Sequence, residues 1–163
     1  MKNAAGLQVT ARGEREIVMT RVFDAPRTLV FDAHTKPELV RRWLLGPPGW
    51  SMPVCEIDLR VGGKYRYEWR KDGSTMGMGG EFREIVAPRR IVSTEKFDES
   101  WYPGEGAVGT LELVEEDGRT TLTQTVLYES REAREAVLKS PMESGVAASF
   151  DRLAEVLASL PAR

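Results

Sequence analysis

The chain is poor in the residues that usually announce chemistry: it has one cysteine, one histidine and no block of like charge. Cys55 alone cannot form an internal disulfide, and a solitary thiol between Val54 and Glu56 reads as a small core hydrophobe. With His34 as the only imidazole and no clustered acidic triad, the donor set of a metal site is missing, and no cofactor is expected. The 23 Lys and Arg against 25 Asp and Glu leave a net charge of -2. Without a basic patch, neither nucleic acid nor an anionic membrane surface is an expected partner. No segment approaches the ~20 apolar residues of a membrane span, and the opening MKNAAGLQVTARGERE lacks the apolar core of a signal peptide. The expected location is therefore cytoplasmic.

What is present is enough apolar residue for one core. A chain of 163 residues buries roughly 70% of the surface its unfolded form exposes and needs neither staple nor metal to fold. Residues 1–13, polar and small, read as a flexible leader, and residues 14–161 as a single domain. REIVMTRVF puts Ile17, Met19 and Phe23 on one face at period two, which predicts a first strand ending at Asp24-Ala25-Pro26. RTLVFDAH follows as a short helix with Leu29, Val30 and Ala33 as its apolar stripe. Thr35-Lys36-Pro37-Glu38 has the spacing of a capping box and predicts a second short helix carrying Leu39, Val40 and Trp43, stopped by Gly46 and the turn Pro47-Pro48-Gly49 before Trp50.

Six strands are then expected in succession: VCEIDL, KYRYEWR, EFREIV, RIVSTEKF, TLELVEE and RTTLTQTVLY. In KYRYEWR, Tyr65, Tyr67 and Trp69 alternate with charged neighbours, so one face is dry and aromatic and the other wet. Asp117-Gly118 is a hairpin signal. A short helix, SREAREAVL, precedes Ser140-Pro141-Met142-Glu143, a second capping-box pattern. After it Met142, Val146, Phe150, Leu153, Leu157 and Leu160 recur at three and four residues and predict a long C-terminal helix. Strand, two short helices, a six-stranded antiparallel meander and a long helix make an α+β layout.

These segments are familiar as a set. FDAPRTLVFDAHTKPELVRRWLLGPPGW, DLRVGGKYRYEW, MGMGGEFREIVAPRRIVSTEKFD and the stretch from GRTTLTQTVLY to AEVLASL span about residues 15 to 160. Together they resemble the START-like (SRPBCC) superfamily and, within it, bacterial proteins similar to the C-terminal domain of the heat-shock protein 90 ATPase activator. The resemblance implies a helix-grip (Bet v 1-like) fold, a curved seven-stranded antiparallel sheet gripping the C-terminal helix. A cavity would lie between them, closed at one end by the two short helices. It specifies a fold more than a reaction.

Within that fold Trp43 and Trp50 are expected at the mouth of the cavity. Tyr65, Tyr67, Trp69, Met76, Met78, Phe97, Trp101, Tyr102 and Phe150 supply bulky, adaptable side chains of the kind that line small-molecule sites or fill a core. His34, ending the first short helix, is either a ligand contact that titrates near neutrality or a donor to that helix's last carbonyls. Glu95 shares its alternation with Ile91, Ser93 and Phe97, and Gln124 shares a face with Leu122 and Val126. A carboxylate aimed into an apolar cavity has a raised pKa and can orient a ligand, whereas a single bulge would turn Glu95 outward. Gly104 to Gly109 matches GxGxxG but precedes a strand, and Ser93 to Lys96 matches SxxK within one, so neither carries phosphate or acyl-enzyme chemistry. The leading expectation is a protein that binds a small hydrophobic or aromatic molecule. The alternatives are a module that docks on a chaperone and a cyclase-like enzyme using His34 or Glu95; a homodimer through exposed strand edges is a further possibility.

Overall fold

Alternating side chains become strands and the three-and-four repeats become helices, in the order β1 (Gln8–Arg12), β2 (Glu16–Phe23), α1 (Arg27–Thr35), α2 (Pro37–Trp43), β3 (Ser51–Ile57), β4 (Lys64–Lys71), β5 (Ser74–Val86), β6 (Arg90–Phe97), β7 (Ala107–Glu116), β8 (Arg119–Tyr128), α3 (Arg131–Lys139) and α4 (Met142–Ser159). The computed structural model describes residues 6–98 and 106–161. All pairings are antiparallel in one sheet of order β1-β2-β8-β7-β6-β5-β4-β3. This is the α+β helix-grip architecture, with β3 to β8 as a meander and β2 docked on the far side of β8.

The sheet has eight strands, not the expected seven. The extra one lies in the stretch read as a leader: Gln8–Arg12 pairs with β2 from Gln8↔Thr20 to Arg12↔Glu16. It escapes a periodicity search because nearly all its side chains are exposed. A distant residue holds the hairpin down. Arg134 of α3, only 5% exposed, donates from Nη1 to the carbonyl of Glu16 at 2.9 Å and to that of Gly13 at 3.4 Å.

The other tight turns follow their local chemistry. Asp72-Gly73 and Asp117-Gly118 each form a two-residue loop, with Asp72 and Asp117 at φ near +54°, the left-handed backbone that Asp tolerates and that primed hairpin turns require. Helix starts follow it less. Thr35 does not cap α2: it ends α1, and its hydroxyl donates back to the Phe31 carbonyl at 2.9 Å. Ser140 likewise donates to the Val137 carbonyl at 2.6 Å, while α4 starts after Pro141 with no side-chain cap. In both places proline follows close behind and the preceding helix captures the hydroxyl first. The start of α1 is satisfied from across the fold, where the Glu115 carboxylate accepts from the Arg27 amide at 2.8 Å.

Ser130 is the side chain that does cap, accepting from the Ala133 amide at 3.0 Å at the start of α3. Ser130→Ala is expected to cost about 1 kcal/mol in a urea unfolding titration. A cost near zero would show that α3 is held by Arg134 and packing alone.

The core lies between the concave face of the sheet and the helices. Phe23, Leu113, Leu122, Val30, Val40 and Leu153 are essentially inaccessible. A separate buried cluster at the β1 end joins Ile17, Met19, Ala107, Val126 and Tyr128 to Ala133 and Val137 of α3. On α4 the predicted stripe holds, with Phe150, Leu153 and Leu157 buried and Met142, Val146 and Leu160 partly so.

Candidate functional site

The register decides which side chains meet on the concave face. Paired residues share a face of a sheet, and the pairings Cys55↔Tyr67, Tyr67↔Met78, Trp69↔Met76, Met78↔Phe97, Glu95↔Ala107 and Leu111↔Gln124 put one set of candidates on the same side. Tyr65, Tyr67, Trp69, Met76, Met78, Glu95, Phe97 and Gln124 are thus brought together. Trp101 and Tyr102 lie outside the described residues.

The aromatic members form a continuous wall. Ring centroids run from Phe82 to Tyr65 at 5.5 Å, Tyr65 to Tyr67 at 5.1 Å, Tyr67 to Trp69 at 5.9 Å and Trp69 to Phe97 at 6.5 Å. Two of the polar tips are tied off on backbone: Tyr65 Oη donates to the Thr94 carbonyl at 2.7 Å and Trp69 Nε1 to the Leu44 carbonyl at 2.7 Å. Those two rings are therefore fixed, with their faces left for contact.

The Met-Gly-Met-Gly-Gly segment of β5 makes this wall possible. Met76 and Met78 point inward, while Gly77 and Gly79 on the outer face leave room for Arg66, whose guanidinium makes a bidentate pair with Asp98. A Cβ on Gly77 would collide with both partners. Gly80 serves the inner face: a Cβ there would collide with the Thr94 carbonyl and come within 2.8 Å of the Tyr65 ring.

Glu95 stands beside this wall. Across the strands from it are Gly80, which admits the Tyr65 ring, and Ala107; diagonally placed is Gly109, over which both Glu95 and Gln124 reach. A Cβ on Gly109 would lie 3.2 Å from Glu95 Oε2 and 2.8 Å from Gln124 Nε2. Enclosure by protein raises the Glu95 carboxyl to about 7, and burial is the cause. As a residue Glu95 is half-buried, as are Gln124, Phe97, Trp69, Met76 and Met78 around it.

The remaining candidates sit elsewhere. His34, Trp43 and Phe150 form an aromatic cluster with Phe23 between α1, α2, α4 and β2. Trp43 is 3% and Phe150 6% exposed, and Trp43 Nε1 donates to the Ala33 carbonyl at 2.8 Å, so these two are core residues and not an exposed cover. His34 holds the Val30 carbonyl with Nδ1 at 2.8 Å, and burial pushes its pKa down to about 4. Trp50 is half-buried just before β3. The loop ahead of it is anchored to α4, with the Gly46 amide donating to Ser149 Oγ and Arg152 Nη1 to the Gly46 carbonyl, each at 2.8 Å.

Sequence reasoning missed Gly80, Ala107 and Gly109, because small residues shape a site only once the register sets them side by side. It also missed Arg21. That residue is on the inner face of β2 and crosses to Asp151 of α4 at 2.8 Å, its guanidinium 5.2 Å from the Phe23 ring centre. Among the described residues no group of three or more His, Cys, Asp and Glu is placed to hold a metal, and no helix is long and apolar enough to cross a membrane. A depression of about 490 Å³ on the outer face, lined by Glu56, Lys64, Arg66 and Glu81, is open and carries both charge signs, and it lies on the opposite side of the sheet from the aromatic wall.

Comparison with known proteins adds what geometry cannot. A family model described as Activator of Hsp90 ATPase homolog 1-like protein matches residues 24–158. No curated protein matches the chain. Among solved structures, a protein from Rhodobacter sphaeroides is 30% identical with a TM-score of 0.88, covering 95% of this chain and 99% of that one. A Staphylococcus epidermidis protein is 26% identical with a TM-score of 0.79, covering 94% and 96%. A protein from Mycobacterium smegmatis, at 24% identity and a TM-score of 0.78 over 94% of this chain and 99% of its own, shares the fold. With most of its length matched and its sheet wrapped against α4 as the fold requires, the chain belongs to the Activator of Hsp90 ATPase homolog 1-like family, in the START-like (SRPBCC) superfamily.

Proposed function

We propose that this protein binds a small apolar or aromatic molecule in the cleft between the concave sheet and α4. The observation that carries the reading is the half-buried inner set Glu95, Gln124, Trp69, Met78 and Phe97, adjoining a wall in which the polar tips of Tyr65 and Trp69 are already hydrogen-bonded. Fixed aromatic faces and adaptable methionines beside one enclosed polar pair are the composition of a small-molecule site. Among the described residues no hydrogen bond orients the Glu95 carboxyl, so binding is a better reading than general acid or base catalysis. The chaperone reading rests on the family description alone.

Titration with phenylnaphthylamine, an uncharged fluorescent probe, tests this. A saturable rise at one equivalent, with energy transfer from tryptophan, is the expected result. A linear rise without saturation up to the solubility limit of the probe would remove the reading.

A further inference from the structure

We infer that the ligand is an organic cation, an apolar or aromatic body bearing a protonated amine, with its ammonium seated on Glu95 and its body along Tyr67, Trp69 and Phe97. This rests on the reading of the cleft as a ligand site and names the class of molecule it takes.

The carboxyl is enclosed, and burial is the only influence acting on it: no cation, and no hydrogen-bond donor among the described residues, reaches it. The nearest inward cation of the β2 face, Arg21, is already paired with Asp151. An enclosed carboxylate that lacks a counter-charge is normally a liability, and proteins pair such groups. Here the surroundings are shaped to leave it open: Ala107 and Gly109 flank it with no side chain beyond a methyl, and Gln124 is the polar neighbour reaching over the same glycine.

The walls suit a cation as well. Aromatic faces attract an ammonium through the ring quadrupole, most strongly when it is desolvated. Tyr67 and Trp69 are in edge contact, and Trp69 stacks on Phe97, so π faces continue away from the carboxyl along the cleft. The desolvation of Glu95 is incurred on folding, so an arriving amine must shed only its own water. A neutral ligand gains nothing from the carboxylate, and an anion is repelled by it.

The test uses three probes of one shape, phenylbutylamine, phenylbutanol and phenylbutanoate, titrated calorimetrically into the full chain at pH 8, where the amine, of pKa about 10, is protonated. The amine is expected to bind at least tenfold tighter than the alcohol, with the carboxylate weakest. In Glu95→Gln, shown folded by its thermal midpoint, amine and alcohol should fall within about threefold of each other. Saturable binding in which the alcohol or carboxylate equals the amine overturns the cation inference and leaves the cleft as a neutral-ligand site. An amine preference that persists in Glu95→Gln overturns it too. Saturation by none of the three also overturns it, and the phenylnaphthylamine titration then decides whether the underlying reading survives.

Discussion

Phe150→Ala is expected to lower the unfolding free energy by about 4 kcal/mol, measured by guanidinium denaturation. The ring is 6% exposed and meets Phe23 edge-on at 5.7 Å and Trp43 at 5.9 Å, so its removal opens a void where α4, α2 and β2 converge. The surrounding rings are locked: Trp43 is tied to the Ala33 carbonyl and cannot swing in to refill the space. Phe97→Ala is the control. That ring is half-buried, one face stacked on Trp69, and about 1 to 2 kcal/mol is expected there because a ring that keeps some exposure loses less burial when it is removed. Equal costs for the two would mean that Phe97 is a core residue and that the cleft is narrower than its accessible residues indicate.

The second large effect is on pH. Glu95 titrates near 7 in the fold against 4.5 for an ordinary glutamate. The folded state therefore holds that proton more tightly, and the stability it gains below pH 4.5 is lost as pH rises through 7. His34 runs the other way. Its folded value of about 4 lies below the ordinary 6.5, because burial opposes charging more than the bond to Val30 favours it, so stability present above pH 6.5 is lost as pH falls through 4. Each difference corresponds to at most about 3 kcal/mol, reduced by the residual accessibility of both groups. Tyr65 and Tyr67, beside Glu95, are pushed upward from 10 and do not titrate in this window.

Between pH 4.5 and 6.5 the two slopes oppose each other, so the contributions of Glu95 and His34 nearly cancel. Glu95→Gln should remove one of them. At pH 8 the variant is expected to be more stable than the parent by about 2 kcal/mol, and from pH 6.5 to 4 its stability should fall steeply, exposing the His34 contribution. Denaturation midpoints at pH 5 and pH 8 measure this. Equal stability at pH 8 would mean that Glu95 is solvated when ionised, and the enclosed carboxylate would lose its place in the site. This gain on removing the charge is also what a binding group held at the expense of stability predicts.

The information that sets this fold is largely local. KYRYEWR declares a dry aromatic face because period two is a property of five or six adjacent residues, whereas for Glu95 in RIVSTEKF alternation left two faces open and the register decides for the inner one. The long C-terminal helix and the Asp-Gly hairpins are legible for the same reason. Caps are less so: the hydroxyls of Thr35 and Ser140 had two carbonyl or amide partners within reach, and the preceding helix won both. β1 was invisible, since an edge strand with exposed side chains has backbone pairing and no pattern.

Sequence alone thus determined the strands of the meander, the apolar stripe of α4 and the family the chain resembles, while which face of each strand turns inward waited on the register. Only the tertiary structure separated its candidate residues into two groups, with Trp43 and Phe150 packed in the core and Glu95, Gln124, Trp69 and Phe97 left half-buried on the inner face of the sheet. The physical reason is that a side chain's direction is set by its own backbone, whereas its accessibility is set by whatever stands opposite. For Glu95 those neighbours are Gly80 of β5 and Ala107 and Gly109 of β7, drawn from two different stretches of chain and aligned only by pairing across the sheet.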